Sequence, residues 1–222
     1  MIGPCPVIQG SPTSNFLGVT LMNPNAIAHP CIEYGLLRNW DGVTPFSKPP
    51  LFYQAIDDFT ANTMEQVSNE ILQVKAAIQK IYPGIDLKLV RTIEEFFEEA
   101  YAEDIADHSS LRNMFVSNKG YDGLTMPTSV TESGEYLPLF DHRYFNEDLP
   151  CGILVQKGIA QLAGVATPVM DKVIKWCQER VGKEYIVNGS QLAGKDLDTT
   201  KTPQRYGFTD LRSFVTANGY DA

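Results

Sequence analysis

The residues from Leu149 to Leu162 are apolar on nearly every side of the helix that they would form. A helix at the surface is apolar along one stripe only, so this pattern predicts a buried helix at the centre of the domain. The apolar positions are Ile153, Leu154, Val155, Ile159, Ala160, Leu162 and Ala163. The chain is therefore expected to fold around this segment.

The residues just before this helix combine charged and aromatic side chains. Asp148 precedes Pro150, an arrangement typical of an N-cap followed by a proline in the first helical turn. A helix N-terminus offers free N–H groups and partial positive charge, so it can receive a carboxylate. Arg143, five residues earlier, carries a guanidinium that can bind a carboxylate through two hydrogen bonds. The stretch reads LFDHRYFNEDLPCGI.

Further helices are predicted from apolar periodicity and capping residues. Asp57 and Asp58 open the clearest of them, which ends at Pro83–Gly84. The other predicted helix starts are the capping box Thr92–Glu95, Ser109 or Ser110, Thr167–Pro168 and Thr209. Strand signals are brief: Leu87–Val90 is a short strand or an extended link, Tyr185–Val187 is extended, and residues 120–133 form a loop. The sum is a mainly α domain of six or seven helices.

A second informative stretch, NPNAIAHP, runs from Asn23 to Pro30. Proline is favoured at the first helical position and disfavours α conformation in the residue before it. A helix is therefore predicted to begin at Pro30, with His29 near its cap. We hypothesise that His29, Arg143 and Asp148 form one site for a small carboxylate, because a buried carboxylate can orient a histidine.

Composition excludes several classes of protein. The net charge of −9 argues against a nucleic-acid surface and against docking on anionic membranes. No signal peptide and no run of 18 apolar residues occurs, so a soluble cytoplasmic protein is expected. The four cysteines lack the spacing of a metal site and are expected to be buried free thiols. They are Cys5, Cys31, Cys151 and Cys177.

Nucleotide motifs are incomplete or missing. Residues 189–195, GSQLAGK, nearly match a phosphate-binding loop, but Asp196 stands where the motif needs Ser or Thr, so a plain loop is predicted. No GxGxxG motif occurs in the sequence. Residues 1–20 are rich in Gly, Pro and Ser and are expected to form a connector.

Together, the motifs at Asn23–Pro30 and Asp141–Gly152 resemble the C-terminal helical domain of octopine/nopaline-type opine dehydrogenases. The loops at residues 118–123 and 188–196 are similar to that family as well, and the likeness covers about residues 15–222. It implies a multi-helical domain like the C-terminal domain of 6-phosphogluconate-dehydrogenase-like enzymes. Residues 21–222 would be this substrate domain, and residues 1–20 would connect it to a missing N-terminal Rossmann domain.

The resemblance also implies an activity. Such enzymes condense an amino acid with a 2-oxo acid, often pyruvate, and reduce the imine with NADH or NADPH, which the Rossmann domain holds. Carried over by motif, His29 is the catalytic acid/base, Asp148 orients it, and Arg143 and Asn25 bind substrate. A homodimer is possible, and the chain by itself is expected to be inactive.

Two alternatives stay open at this point. One is the C-terminal domain of another two-domain dehydrogenase, acting on a hydroxy acid. The other is a helical module that binds a ligand or dimerises without catalysis.

Overall fold

The computed structural model describes residue 13 and residues 15–220. Helices dominate this part of the chain, so the prediction of a mainly α fold is confirmed. A π-helical turn, Leu149–Ile153, runs directly into α7. The α-helices are α1 (Phe16–Leu21), α2 (Pro24–Leu37), α3 (Asp58–Ile81), α4 (Ile93–Tyr101), α5 (Leu111–Ser117), α6 (Arg143–Asn146), α7 (Leu154–Leu162), α8 (Pro168–Arg180) and α9 (Leu211–Ala217).

Two short antiparallel hairpins accompany the helices. In the first, β1 (Thr128–Val130) pairs with β2 (Tyr136–Pro138), and Ser129 lies opposite Leu137. Sequence reasoning assigned β1 to a loop, because three residues are too few to show a strand period. In the second hairpin, β3 (Ile186–Val187) pairs with β4 (Gln191–Leu192).

The second hairpin contains the residues that nearly match a phosphate-binding loop. Asn188 and Gly189 have φ values of 51° and 82° and make its turn. The segment therefore begins in a β-turn and continues into β4. After Lys195 the chain forms a 3₁₀ turn, Leu197–Thr199, in place of the α-helix that a phosphate-binding loop needs. Leu87–Val90, predicted as a short strand or an extended link, is instead a turn, in which the Val90 N–H donates to the Leu87 carbonyl at 3.1 Å.

Local capping signals in the sequence correspond to observed helix starts. The Asp57 carboxylate accepts a hydrogen bond from the backbone N–H of Thr60 at 3.0 Å and caps α3. Both hydrogen bonds of the capping box between Thr92 and Glu95 are present at the start of α4. Ser110, one of the two serines considered, caps α5. These predictions are confirmed.

The predicted start of the helix at Pro30 is wrong. α2 begins at Pro24, where the Asn23 side chain accepts from the Asn25 N–H at 3.2 Å, and His29 and Pro30 lie inside the helix. Asn23–Pro24 supplies the same cap-then-proline signal six residues earlier. Pro30 cannot donate a backbone hydrogen bond, and the packing of α2 against α3, α8 and the π-helical turn offsets this loss.

The predicted connector overlaps a packed helix. Leu17 and Leu21 of α1 are fully buried, and the Asn15 side chain caps the helix by accepting from the Leu17 N–H at 2.8 Å. Residues 16–20 therefore belong to the folded domain. Residues 1–12 and 14, where the rest of the connector was expected, lie outside the described residues.

The segment around α7 is buried as predicted. Within α7, Leu154, Ile159 and Ala160 are fully buried, and even the polar Lys157 is only 4% exposed. The Lys157 ammonium group pairs with the Asp171 carboxylate of α8 at 2.6 Å and donates to the Thr167 hydroxyl at 2.9 Å. In the part of the chain that is described, no helix is long and apolar enough to cross a membrane.

At Gly35, α2 packs closely on the Thr60 side chain of α3. A β-carbon placed there would lie 2.8 Å from the Thr60 β-carbon, which is too close for two carbon atoms. Glycine at position 35 therefore leaves room for the Thr60 side chain of α3.

Replacing Gly35 with alanine should destabilise the protein by about 1–3 kcal/mol, because the added methyl group forces α2 and α3 apart. Urea unfolding measures this change. Gly18→Ala in α1 is the matched control, since its added β-carbon would meet its nearest atom at 3.5 Å, an ordinary contact. Equal unfolding midpoints for Gly35→Ala and the wild type would contradict the packing described.

A carboxyl group is buried in α2 one turn after His29. Glu33 is 3% exposed, and burial raises its pKa to about 8. The native protein therefore holds this proton up to about pH 8, whereas an unfolded chain releases it near the usual value of 4.5. Between these two values the unfolded state binds fewer protons than the native state, so stability falls as pH rises.

Glu33→Gln should remove this decrease of stability with rising pH. The free energy of unfolding of the variant, relative to that of the wild type, should rise by roughly 2–4 kcal/mol between pH 4.5 and pH 8. Urea unfolding at several pH values gives the difference. Glu132→Gln, at an exposed position in the first hairpin, controls for the loss of one charge. A constant difference between Glu33→Gln and the wild type across this range rules out the assigned titration.

Candidate active site

His29 and Asp148, 119 residues apart in the sequence, are in direct contact. The His29 Nδ1 lies 2.7 Å from the Asp148 Oδ2, and the two side chains are only 6% and 8% exposed. A carboxylate only accepts hydrogen bonds, so Nδ1 carries the hydrogen and donates. The other ring nitrogen, Nε2, is therefore the one that can exchange a proton with another group.

A glycine allows the two helical segments to cross at this point. A β-carbon at Gly152, in the π-helical turn, would lie 2.8 Å from the Ala26 β-carbon of α2. From this crossing, His29 lies about one turn further along α2, and Asp148 lies one turn back from Gly152. The close approach therefore brings the two functional side chains together.

Asp148 does not act as the helix cap that its sequence context predicted. Its backbone is in the α-helical region, and its side chain makes no capping hydrogen bond. Its carboxylate instead accepts from the His29 Nδ1–H. The segment after it is a π-helical turn, a form that recurs at functional sites.

Aromatic side chains surround the imidazole. The Tyr53 hydroxyl lies 2.8 Å from His29 Nε2. The ring centres of Tyr144 and Phe52 lie 4.1 Å and 5.7 Å from that of His29. Tyr144 stands in the stretch singled out from the sequence, but Phe52 and Tyr53 were missed. They lie in a proline-rich turn with no periodic pattern, and their aromatic pair after Pro49–Pro50 was the only available signal.

The local environment favours the neutral forms of the two tyrosines and the histidine that surround His29. Burial raises the pKa of Tyr53, and the nearby Tyr144 hydroxyl raises it further. Burial also raises the pKa of Tyr144. Burial, together with the positive charge of Arg143, lowers the pKa of His142. Both phenols therefore keep their protons at neutral pH, and Asp148 is the carboxylate that contacts the imidazole.

Arg143 and Asn25 lie at the edge of this site. Arg143 is in α6 directly before Tyr144; its side chain is 59% exposed, and its guanidinium lies 3.3 Å from the Glu147 carboxylate. Asn25 is exposed in the first turn of α2, one turn before His29. The structure thus brings His29 and Asp148 into contact and leaves Arg143 and Asn25 open to solvent nearby.

The remaining histidines have structural positions. His142 caps α6, where its Nδ1 accepts from the Tyr144 backbone N–H at 3.5 Å. His108 is exposed and lies 2.8 Å from the Glu98 carboxylate.

A cavity of about 510 Å³ lies beside the crossing of α2 and the π-helical turn. Asn23 and Pro24 line it from α2, Cys151 and Gly152 from the turn, and Arg91 from the segment before α4. Cys151 is exposed, so the expectation of a buried thiol is wrong there. That expectation is right for Cys31 and Cys177; Cys5 lies outside the described residues.

The described residues do not offer a dinucleotide site of the usual kind. Dinucleotides bind at the carboxyl ends of parallel strands, and both sheets found in residues 15–220 are two-stranded and antiparallel. In the same part of the chain, no group of three or more His, Cys, Asp or Glu residues is arranged to hold a metal ion.

Comparisons with known proteins give a consistent result. Residues 12–181 match the family described as NAD/NADP octopine/nopaline dehydrogenase, alpha-helical domain. The chain is 40% identical over 214 residues to tauropine dehydrogenase from Arabella iricolor, covering 96% of this chain and 53% of that protein. It is 44% identical over 202 residues to octopine dehydrogenase from Pecten maximus, covering 91% of this chain and 50% of that protein.

The fold agrees with that of a solved relative. A structure of octopine dehydrogenase with NADH and L-arginine superposes with a TM-score of 0.86 at 43% identity, over 93% of this chain and 50% of that one. The chain thus spans about half the length of the relatives that it matches. The family match and the shared fold show that the chain belongs to the octopine/nopaline dehydrogenase family and corresponds to its α-helical domain.

Proposed function

We propose that this chain is the substrate-binding and proton-transferring domain of an NAD(P)H-dependent opine dehydrogenase. In this reaction the amine of an amino acid condenses with a 2-oxo acid such as pyruvate, and the imine is reduced. The observation that carries the proposal is the buried hydrogen bond between His29 and Asp148. Membership of the family supports it, as does the complex of octopine dehydrogenase with NADH and L-arginine.

The proposed role of His29 is to supply and remove protons. Condensation passes through a carbinolamine, whose hydroxyl must gain a proton before it can leave as water. A protonated imidazole is a suitable acid for this step, and the Asp148 carboxylate stabilises the positive charge that the ring then carries. The same contact fixes the orientation of the ring, so Nε2 is the nitrogen that exchanges the proton.

The proposed role of Arg143 is to bind the carboxylate of the oxo acid. Its guanidinium is exposed and paired only with an equally exposed carboxylate, that of Glu147. A surface ion pair of this type contributes little energy, so a substrate carboxylate can replace it. We assign Asn25 a hydrogen bond to the substrate, because it is exposed one turn before His29 on α2.

NADH or NADPH supplies the hydride when it is bound, and we assign its binding mainly to a Rossmann domain outside the described residues. The lack of a GxGxxG motif in the sequence supports this assignment. A homodimer stays a prediction. We also place the protein in the cytoplasm, since Cys31, Cys151 and Cys177 are free thiols.

Activity is testable by joining this chain to the half of Pecten maximus octopine dehydrogenase that it does not match. The fusion should oxidise NADH only when an amino acid and pyruvate are both present. Asp148→Asn and His29→Asn should each lower kcat by about 10²- to 10⁴-fold, the usual contribution of a positioned acid or base. Asp141→Asn is the control, an exposed carboxylate in the same stretch that hydrogen-bonds Asn146.

Wild-type kcat in the Asp148→Asn fusion would contradict the assigned dyad. Oxidation of simple hydroxy acids, without oxidation of N-(1-carboxyethyl) amino acids, would instead favour the alternative hydroxy-acid dehydrogenase.

The 222-residue chain by itself should show no specific heat of binding when titrated with NADH in a calorimeter. The physical reason is the lack of a parallel-sheet crevice among the described residues. Pecten maximus octopine dehydrogenase, titrated under the same conditions, serves as the positive control. A Kd in the micromolar range for the isolated chain would show that it holds the cofactor itself.

A further inference from the structure

The catalytic nitrogen proposed for His29 already has a partner. Nε2 lies 2.8 Å from the Tyr53 hydroxyl, while Nδ1 is held by Asp148. Both ring nitrogens are therefore engaged by the protein. A substrate must either displace Tyr53 or receive its proton through the Tyr53 hydroxyl.

Displacement is opposed by the packing of the Tyr53 ring. The ring stacks on Tyr121 with centres 4.1 Å apart and planes 18° apart. It also meets Phe52 edge-on at 4.8 Å. Moving the hydroxyl away from His29 would break both contacts, each of which is a favourable aromatic pair.

The backbone on both sides of Tyr53 is also held. The Phe52 N–H donates to the Leu124 carbonyl at 2.8 Å, and Leu51 forms a β-bridge with Thr125. The Gln54 side chain donates to the Asp122 carboxylate at 2.8 Å. The turn that carries Tyr53 is thus fastened to the segment that carries Tyr121, so the hydroxyl has a fixed position relative to the imidazole.

A phenol in this position can both accept and donate a hydrogen bond. Its oxygen can accept from the Nε2–H of a protonated His29, and its own O–H, which faces the Tyr144 hydroxyl, can turn to donate to a substrate. Because burial and the Tyr144 hydroxyl raise the pKa of Tyr53, a lasting phenolate is disfavoured. A proton that leaves Tyr53 must therefore be replaced at once by the one on His29.

We propose that Tyr53 is a catalytic residue of the opine dehydrogenase reaction, delivering to the substrate a proton that His29 replaces. The inference rests on the proposed function and adds to it the group that touches the reacting oxygen. The arrangement that carries it is the chain of contacts from Asp148 through His29 to Tyr53.

Two protons move as water leaves the carbinolamine. The Tyr53 O–H bond breaks, and the proton passes to the hydroxyl oxygen of the carbinolamine. The C–O bond breaks, its electron pair leaves with water, and the lone pair on nitrogen forms the C=N bond. At the same time the Nε2–H proton of His29 moves to the Tyr53 oxygen, leaving a neutral phenol and a neutral imidazole. No oxidant or reductant takes part in this step.

Tyr53→Phe tests the proposal because it removes the hydroxyl and keeps the stacked ring. In the fusion described above, kcat should fall by about 10²- to 10⁴-fold while KM for pyruvate stays within about threefold. The rate of the wild-type fusion in mixtures of H₂O and D₂O should curve with deuterium content, since two protons move together. Tyr121→Phe is the matched control: it keeps the stack, lacks a contact with His29, and should keep kcat within about threefold.

The contact itself is testable on the 222-residue chain by NMR of ¹⁵N-labelled histidine. Tyr53→Phe should shift the Nε2 signal of His29, whereas Tyr121→Phe should leave it in place. Unchanged kcat in the Tyr53→Phe fusion overturns the proposal, and so does an unchanged Nε2 signal. An inactive wild-type fusion counts against the proposed function, and the NMR comparison then decides the Tyr53 contact separately.

Discussion

The hydrogen bond between His29 and Asp148 is the contact on which the site depends. It joins α2 to the start of the π-helical turn, two segments that are 119 residues apart in the sequence. Both side chains are buried, so neither can recover its lost hydration from solvent. The close crossing at Ala26 and Gly152 lets the His29 and Asp148 side chains meet. The aromatic rings of Phe52, Tyr53 and Tyr144 surround the imidazole.

The rest of the interior uses the same kind of long-range polar pairing. Lys157 of α7 pairs with Asp171 of α8 while both are buried. The Glu70 carboxylate of α3 accepts from the backbone N–H groups of Val169 and Met170, at 2.8 Å and 2.9 Å, and so caps α8 from another helix. Removing one partner from such a pair strands a buried charge, and these contacts therefore fix how the helices pack around α7.

Sequence reasoning succeeded where the signal is local. Asp57 and the Thr92–Glu95 box could be assigned because a cap and its helix lie within four residues. It failed where two local signals compete, as at Pro24 and Pro30, and where one side chain has two possible partners, as at Asp148. The two helix-start motifs suggested that His29 and Asp148 share one site, and their roles as acid/base and orienting carboxylate came from resemblance to a family. Tyr53 was missed because its contact with His29 depends on how a turn folds back onto α2.

A double-mutant cycle on the 222-residue chain tests the central contact most directly. The unfolding free energies of the wild type, His29→Ala, Asp148→Ala and the double variant are compared at one neutral pH. A buried hydrogen bond to a charged group predicts a coupling free energy of about 1.5–3 kcal/mol. Single-variant effects that add to the double-variant effect within about 0.5 kcal/mol would show that the two side chains do not interact, and would contradict the account.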